Sequence, residues 1–311
     1  MNGYLLIPVY FYVKIVAFVF DFTFLDFLYI NNAKDRLLDF SWKVSIFADM
    51  KKLVIVGCGY LADIVVDALV QGLLPGYDLV GVYSRTALKA ERLAARVKLE
   101  GRVCKACSSL EELLALKPDF LVEAASPAAM KELALPVLKN GTSIVTLSIG
   151  AFADTHFYEE VKKTAAGHGT RVYIASGATG GFDVLRTATL MGNASARFLN
   201  EKGVMALRRA PFYTPEMEIT NKIVFSGTAR EAINTFPTGL NVAVAASLVT
   251  VGPEKMQVTM ESTPDFVGDR QRVEIKNEQV HAVVDVYSAT PEIAAWSVVS
   301  TLRNIDSPIV F

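Results

Sequence analysis

Leu53-Val54-Ile55-Val56-Gly57-Cys58-Gly59-Tyr60-Leu61-Ala62 sets a short apolar run directly against a G-x-G-x-x-A turn. The run has the composition of a strand buried on both faces. Beyond it, Ala62–Leu73 carries apolar residues at helical spacing, so the turn joins a strand to a helix. Each position has a physical task. Gly57 permits a tight turn, Gly59 lets the backbone approach a pyrophosphate, and a small Ala62 allows close helix–strand packing. The helix N-terminus adds unsatisfied N–H groups and the positive end of the helix dipole. A ligand-free turn in an α/β sheet is the competing account, but the flanks favour a dinucleotide site for NAD or NADP. Gly57, Gly59, Tyr60 and Leu61 are its expected contacts.

Working outward, the alternation continues. Leu79–Tyr83, Phe120–Ala125 and Ser143–Leu147 read as strands, and Ala87–Val97, Leu110–Leu116 and Ala128–Leu138 as helices. This rhythm predicts an α/β fold whose first domain, residues 50–175, is a Rossmann-type doubly wound parallel sheet. After about Gly181 the pattern changes. Ala206–Arg209, Ile223–Phe225, Gln257–Glu261, Arg272–Lys276 and Ala282–Tyr287 read as strands, with helices at Ala229–Phe236 and Val242–Val249. A second α/β domain with a mixed open sheet is expected over residues 176–290, serving substrate binding and dimerisation. The helix Pro291–Asn304, within residues 291–311, is expected to pack back on the first domain.

At the end of the second strand a carboxylate is expected, roughly 20 residues past the glycine turn, to hold the ribose 2′-OH of NAD. Ser84-Arg85-Thr86 stands there instead. Without a carboxylate a 2′-phosphate is not repelled, and Arg85 can pair with it. NADP is therefore favoured over NAD, with Ser84 and Arg85 as contacts; the alternative is that Arg85 is a solvated loop residue.

Composition narrows the class. The hydrophobic fraction of 52%, charged fraction of 20% and net charge of -1 describe a folded protein without the clustered positive charge that nucleic acid requires. Cys58, Cys104 and Cys107 do not form a disulfide framework, and Cys104-Lys-Ala-Cys107 lacks the partner ligands of a zinc site. No metal is expected, and a reduced cytoplasmic setting fits best.

Residues 1–49 differ from the rest. Tyr4–Ile30 is apolar enough to suggest a membrane anchor, but Lys14, Asp21 and Asp26 interrupt it, each costing about 2.5–3.5 kcal/mol near a bilayer centre. A signal peptide lacks its basic n-region. The preferred account is an upstream extension to a protein starting at Met50, with an anchor or surface helix left open, so membrane attachment depends wholly on this stretch.

Longer blocks carry a resemblance. Glu123-Ala-Ala-Ser-Pro-Ala-Ala-Met through Leu138, Val145–Asp154, Ser176-Gly-Ala-Thr-Gly-Gly-Phe-Asp183, Phe225–Ala232 and Phe236-Pro-Thr-Gly-Leu-Asn-Val-Ala243 resemble the L-aspartate dehydrogenase family. The likeness runs from about Lys51 to the C-terminus. It implies a homodimer that exchanges hydride between a nicotinamide and the imine of oxaloacetate, giving L-aspartate. The family's cofactor-contacting alanine falls on Ala178 and its asparagine on Asn241, a residue that also reads as a helix N-terminal cap. Ala125 and Ser126, in the first block, are further expected cofactor contacts.

One departure stands out. Counting without gaps from Asn241 puts the histidine of the family's Arg-Asn-x-His-x-Ile strand, its acid/base, at Gln271. Glutamine hydrogen-bonds but has no useful pKa for proton transfer. His156 and His168 read as surface residues of a polar helix, and His281 as a sheet residue beyond Gln271. The family's Asn-Pro-x-Thr-Ser segment is also changed, to Ala289-Thr290-Pro291-Glu292-Ile293. Two functions remain open: an NAD(P)-dependent dehydrogenase acting on an amino acid or its keto acid, and a dinucleotide-binding regulator that has lost the chemistry.

Overall fold

The computed structural model describes residues 50–236 and 240–311. The Tyr4–Ile30 stretch, with its competing accounts, and Pro237–Gly239 lie outside the described residues.

Six parallel strands form the first sheet: β1 (Lys51–Val56), β2 (Tyr77–Tyr83), β3 (Lys105–Cys107), β4 (Phe120–Glu123), β5 (Ser143–Thr146) and β6 (Val172–Ile174), in the order β3-β2-β1-β4-β5-β6. The apolar run of β1 is central for a simple reason. Leu53 and Ile55 enter one core while Val54 and Val56 enter the other, so no residue of Leu53–Val56 can be polar without facing a core. Helices α1 (Tyr60–Val70) and α2 (Ala87–Leu99) cover the first face. On the second lie α3 (Leu110–Leu114), α4 (Pro127–Lys139) and α5 (Thr155–His168). The last helix, α10 (Glu292–Asp306), inserts Ala295, Val298, Val299 and Leu302 beside α1, and Tyr77 donates its hydroxyl to the Leu302 carbonyl at 2.8 Å.

Several expected bounds move. Helix α1 starts two residues earlier than Ala62, because Gly59 supplies its extended N-cap, and it ends at Val70 rather than Leu73, with Gly72 at φ +75° beyond its C-cap. Strand β4 stops at Glu123, short of Ala125, where the chain turns into α4. The edge strands β3 and β6 have three residues each and no readable pattern.

The second sheet has five strands in the order β11-β10-β7-β9-β8: β7 (Ser195–Gly203), β8 (Lys222–Thr228), β9 (Gln257–Thr263), β10 (Asp269–Lys276) and β11 (His281–Ser288). It is mixed, with β7 parallel to β9 and antiparallel to β10. The helices of this half are α6 (Phe182–Leu190), the short α7 (Val204–Leu207), α8 (Ala229–Thr235) and α9 (Asn241–Leu248). Leu185, Ala188, Ala243 and Ala246 from α6 and α9 share a core with Phe198, Val258, Met260, Val273 and Ile275 of the sheet.

The expected strand Ala206–Arg209 is corrected: that stretch lies in and just after α7, and the central strand precedes it as β7. The cause is chemical. The first inward-facing residues of β7 are Ala196, Phe198 and Asn200, so one large apolar side chain is all the alternation that the strand shows.

Candidate functional site

The glycine turn sits where β1 ends. Gly57 has φ +94°, and a Cβ there would meet the Ala124 carbonyl oxygen at 2.5 Å, so backbone conformation and contact both demand glycine. Its N–H donates to the Tyr83 carbonyl at 2.9 Å, joining β1 to β2. Gly59 differs: a Cβ added there meets nothing within 4 Å. No side chain caps α1, so the first-turn N–H groups of Tyr60, Leu61 and Ala62 remain available to an anion. Ala62 is fully buried against the sheet, and half-buried Leu61 packs on the same core. A tight turn, open space at its second glycine and an uncapped helix fit a dinucleotide pyrophosphate. Tyr60 is exposed and donates its hydroxyl to Glu292 of α10 at 2.5 Å, a bond that raises the phenol's pKa.

At the end of β2, Ser84 is half-buried and Arg85 exposed. Arg85 has no carboxylate partner among the described residues, and residues 84–89, leading into α2, contain Lys89 but no acid. The N-terminal end of α2 adds its dipole to these charges.

Between these loops lies a group that the sequence did not flag. Glu123, the last residue of β4, is fully buried. Its carboxylate accepts five hydrogen bonds: Ala125 N–H, Ser126 N–H and the Ser148 hydroxyl at Oε1, and the Thr146 hydroxyl and Ser148 N–H at Oε2. One buried carboxyl group thus fixes the loops leaving β4 and β5, both at the carboxyl edge of the sheet, where open α/β sheets bind ligands. Ala125 and Ser126 are placed beside the Gly57 turn through Ala124, with their N–H groups turned to Glu123 and the Ser126 hydroxyl capping α4 through Ala129. A strand residue followed by two alanines gave no sequence signal for this role.

The loop leaving β6 carries Ala178. Its Gly177 N–H donates to Ser297 of α10 at 3.0 Å, and Gly181 lies against Val284 of β11, so this loop bridges the two sheets. Asn241 does not cap α9. It is the first helical residue, and its Oδ1 accepts the Gly150 N–H at 2.8 Å, tying α9 to the turn after β5.

Gln271 on β10 is 3% exposed and shares the inward face with Val273 and Ile275. His281 is exposed and bonds Glu274, which alternates to the opposite face of β10, so it does not stand in for Gln271. His156 and His168 are exposed on α5.

Gln271 has an apolar register partner in Val286 and a polar one in Asn200. Ser288, Asp269, Lys202, Ser262 and Lys222 form one register row across all five strands. Two residues along, in the next row on the same face, Gln271 stands opposite Asn200. Asn200 donates Nδ2 to Asp269 Oδ1 at 2.5 Å and to the Arg270 carbonyl at 3.2 Å, and Lys202 donates to Asp269 Oδ2 at 2.9 Å. Gln271 Oε1, Asn200 Oδ1, Ser262 Oγ and Ser288 Oγ are buried without a hydrogen-bond partner among the described residues. An unpaired buried polar atom costs on the order of 1–3 kcal/mol, so these four positions on the inward face of the sheet are a cost that the fold carries. Asn200 and Lys202 escaped the sequence reading because they lie on β7, which no apolar alternation marks, and Ser262 and Asp269 because they lie just outside the expected strands Gln257–Glu261 and Arg272–Lys276.

Comparison with known proteins agrees with this architecture. The family description "Aspartate dehydrogenase, C-terminal" matches residues 183–305, and "Homoserine dehydrogenase, NAD binding domain" matches residues 57–175. An L-aspartate dehydrogenase of Methanocella arvoryzae is 31% identical over 272 residues, covering 84% of this chain and 98% of the relative. One from Methanococcus maripaludis is 30% identical over 271 residues, with the same coverage. The crystal structure of an aspartate dehydrogenase from Thermotoga maritima superposes with a TM-score of 0.66 at 26% identity, over 84% of this chain and 99% of that one. With a nicotinamide-type cradle on the first sheet and this likeness across both halves, the chain belongs to the L-aspartate dehydrogenase family and is an NAD(P)-dependent oxidoreductase.

Proposed function

We propose that the enzyme transfers hydride between NADP and the amine-bearing carbon of an acidic amino acid such as L-aspartate. The observation that carries the cofactor half is the open, uncapped turn at Gly59 followed by the acid-free Ser84–Lys89 segment. Gly57, Gly59, Tyr60 and Leu61 hold the pyrophosphate through backbone N–H groups, and Ser84 and Arg85 hold a 2′-phosphate. Ala125, Ser126, Ala178 and Asn241 line the path toward the second sheet. When bound, the nicotinamide supplies or accepts the hydride; the protein's part is to orient it and exclude water.

The relatives named for L-aspartate dehydrogenase support the substrate. Gln271 supplies hydrogen bonds but no proton-transfer pKa, and the lack of a general acid or base typically costs about 10²–10⁴-fold in rate. Slow reductive amination of oxaloacetate is the expected activity. The test is NADPH oxidation with oxaloacetate and ammonia against a panel of 2-oxo acids, beside a fluorescence titration of NADPH. Turnover that selects oxaloacetate supports the reading, and turnover of apolar 2-oxo acids alone would refute it. Arg85→Ala should weaken NADPH at least tenfold and leave NADH within twofold; equal loss of both would overturn the NADP preference.

A homodimer formed through the outward sheet face fits the exposure of Ile223, Val283 and Tyr287 there, and sedimentation equilibrium tests it. A cytoplasmic setting fits the free thiols of Cys58, Cys104 and Cys107.

A further inference from the structure

We infer that Glu292 is a built-in competitor of the cofactor's pyrophosphate. It holds the Tyr60 hydroxyl in the free enzyme and keeps nicotinamide binding weak enough for rapid exchange. This rests on the cofactor reading above and adds to it a residue of α10.

The changed segment Ala289–Ile293 supplies the group. Its acid, Glu292, is the first residue of α10 and accepts the hydroxyl of Tyr60, the first residue of α1, at 2.5 Å. The two helices lie side by side and run the same way. Toward their far ends the Leu302 carbonyl meets Tyr77, and Asp306 pairs with Lys51, the first residue of β1. Tyr60 and Glu292 meet instead beyond the last residue of β1. Both N-termini thus stand at the carboxyl edge of the first sheet, with their positive dipole ends together.

That positive region attracts an anion, and two contend for it. The uncapped N–H groups of α1 suit a pyrophosphate, which carries a negative charge on each phosphate. Glu292 brings a carboxylate to the side chain of Tyr60, whose own N–H belongs to the same cradle. No lysine or arginine pairs with Glu292 among the described residues, so only the helix ends and the Tyr60 hydroxyl balance its charge.

Two anions this close repel, and less water remains to screen them once a cofactor fills the turn. Glu292 must therefore release Tyr60 and turn to solvent before the pyrophosphate seats, which its half-buried place at a helix end allows. Opening this contact lowers cofactor affinity, and its return favours release. A dehydrogenase exchanges its cofactor in every turnover, and product release limits many such cycles. A contact that weakens the bound state without altering the N–H cradle quickens that step.

The test titrates NADPH and NADH by fluorescence against the purified full chain. Glu292→Gln keeps an acceptor for Tyr60 and removes the charge. Both dissociation constants should fall about fivefold, by the same factor, at about 0.01 M salt. The gain should shrink below about twofold at about 1 M, where the Debye length is about 3 Å. Glu292→Ala should match Glu292→Gln, so the result does not hang on one variant's folding. Tyr60→Phe, which unties the carboxylate but leaves its charge, should tighten both cofactors by less. Dissociation constants within twofold of the unmutated enzyme in Glu292→Gln at low salt, or higher ones, would overturn the competitor and leave the cofactor site standing. A gain confined to NADPH would also overturn it, since that cofactor differs from NADH only by the 2′-phosphate. Binding of neither nicotinamide by the unmutated enzyme would instead remove the cofactor reading, and this inference with it.

Discussion

Asn200 and Gln271 face each other across β7 and β10, both buried, and neither amide oxygen meets a donor from the described residues. Such a pair is poor structural material, since an apolar pair of the same volume would bury no unpaired oxygen. Gln271→Met should therefore hold or raise stability by about 1 kcal/mol, while lowering activity. Chemical denaturation reads the first effect and steady-state turnover the second. A loss above about 1 kcal/mol would show that Gln271 is needed for the fold.

The two glycines of the turn should separate folding from binding. At Gly57 a Cβ would press on the Ala124 carbonyl at a φ of +94°, so Gly57→Ala should lower stability by about 1–3 kcal/mol and weaken NADPH. At Gly59 the added Cβ meets nothing within 4 Å, so Gly59→Ala should fold normally and still lose at least tenfold in NADPH affinity, because the methyl occupies the pyrophosphate's approach. Thermal melts set beside fluorescence titrations check both. An unaffected NADPH affinity in Gly59→Ala would remove the turn from the cofactor site.

That contrast also explains what the sequence made legible. The cofactor cradle is local: Leu53–Ala62 holds strand, turn and helix start in ten consecutive residues, and a strand buried on both faces must be written as an unbroken apolar run. The polar rows are non-local. Lys202, Ser262 and Asp269 come together only through register, and β7 lacks a readable pattern because Asn200 and Lys202 occupy inward positions where an apolar alternation would have announced a strand. The aspartate dehydrogenase blocks located Gln271 but said nothing of its neighbours. Glu123 stands at the head of one of those blocks, yet its work is done by hydrogen bonds from Thr146 and Ser148 on another strand's exit.

Acid should loosen the corner where β3 meets α3. Glu112 accepts from Lys105 at 2.6 Å, and from the N–H and hydroxyl of Ser108 at 2.7 and 2.8 Å. The Lys105 bond, followed by the Ser108 bonds, holds its carboxyl at about 2, against an ordinary 4.5. A folded value below the unfolded one means that the stabilisation is present above about pH 4.5 and is lost as pH falls toward 2. Glu112→Gln should therefore lower the melting temperature above pH 4.5, match the unmutated protein near pH 2, and so flatten part of the decline between those limits. Melting temperatures across that range check it, and an unchanged acid limb would show that the pair is fully screened by solvent.

Replacing Gln271 with histidine asks whether the missing acid/base is all that limits the chemistry. The position is inward-facing and buried, and the two side chains are of similar size, so Gln271→His should fold. An imidazole there has an ordinary pKa near 6.5 and faces the same Asn200 carbonyl, which can accept its second N–H and fix the tautomer. Lys202 nearby is charge-balanced by Asp269 rather than left to repel an imidazolium. The expected result is at least a tenfold rise in kcat for oxaloacetate amination, within the range that general acid/base catalysis supplies. A new ionisation should appear in the kcat profile between pH 6 and 7, and the NADPH dissociation constant should stay within twofold. An unchanged kcat with a flat profile would mean that another group already moves the proton. The pinned ammonium of Lys202 is the first to examine, because it is the cation closest to the amide pair on the inward face of the sheet.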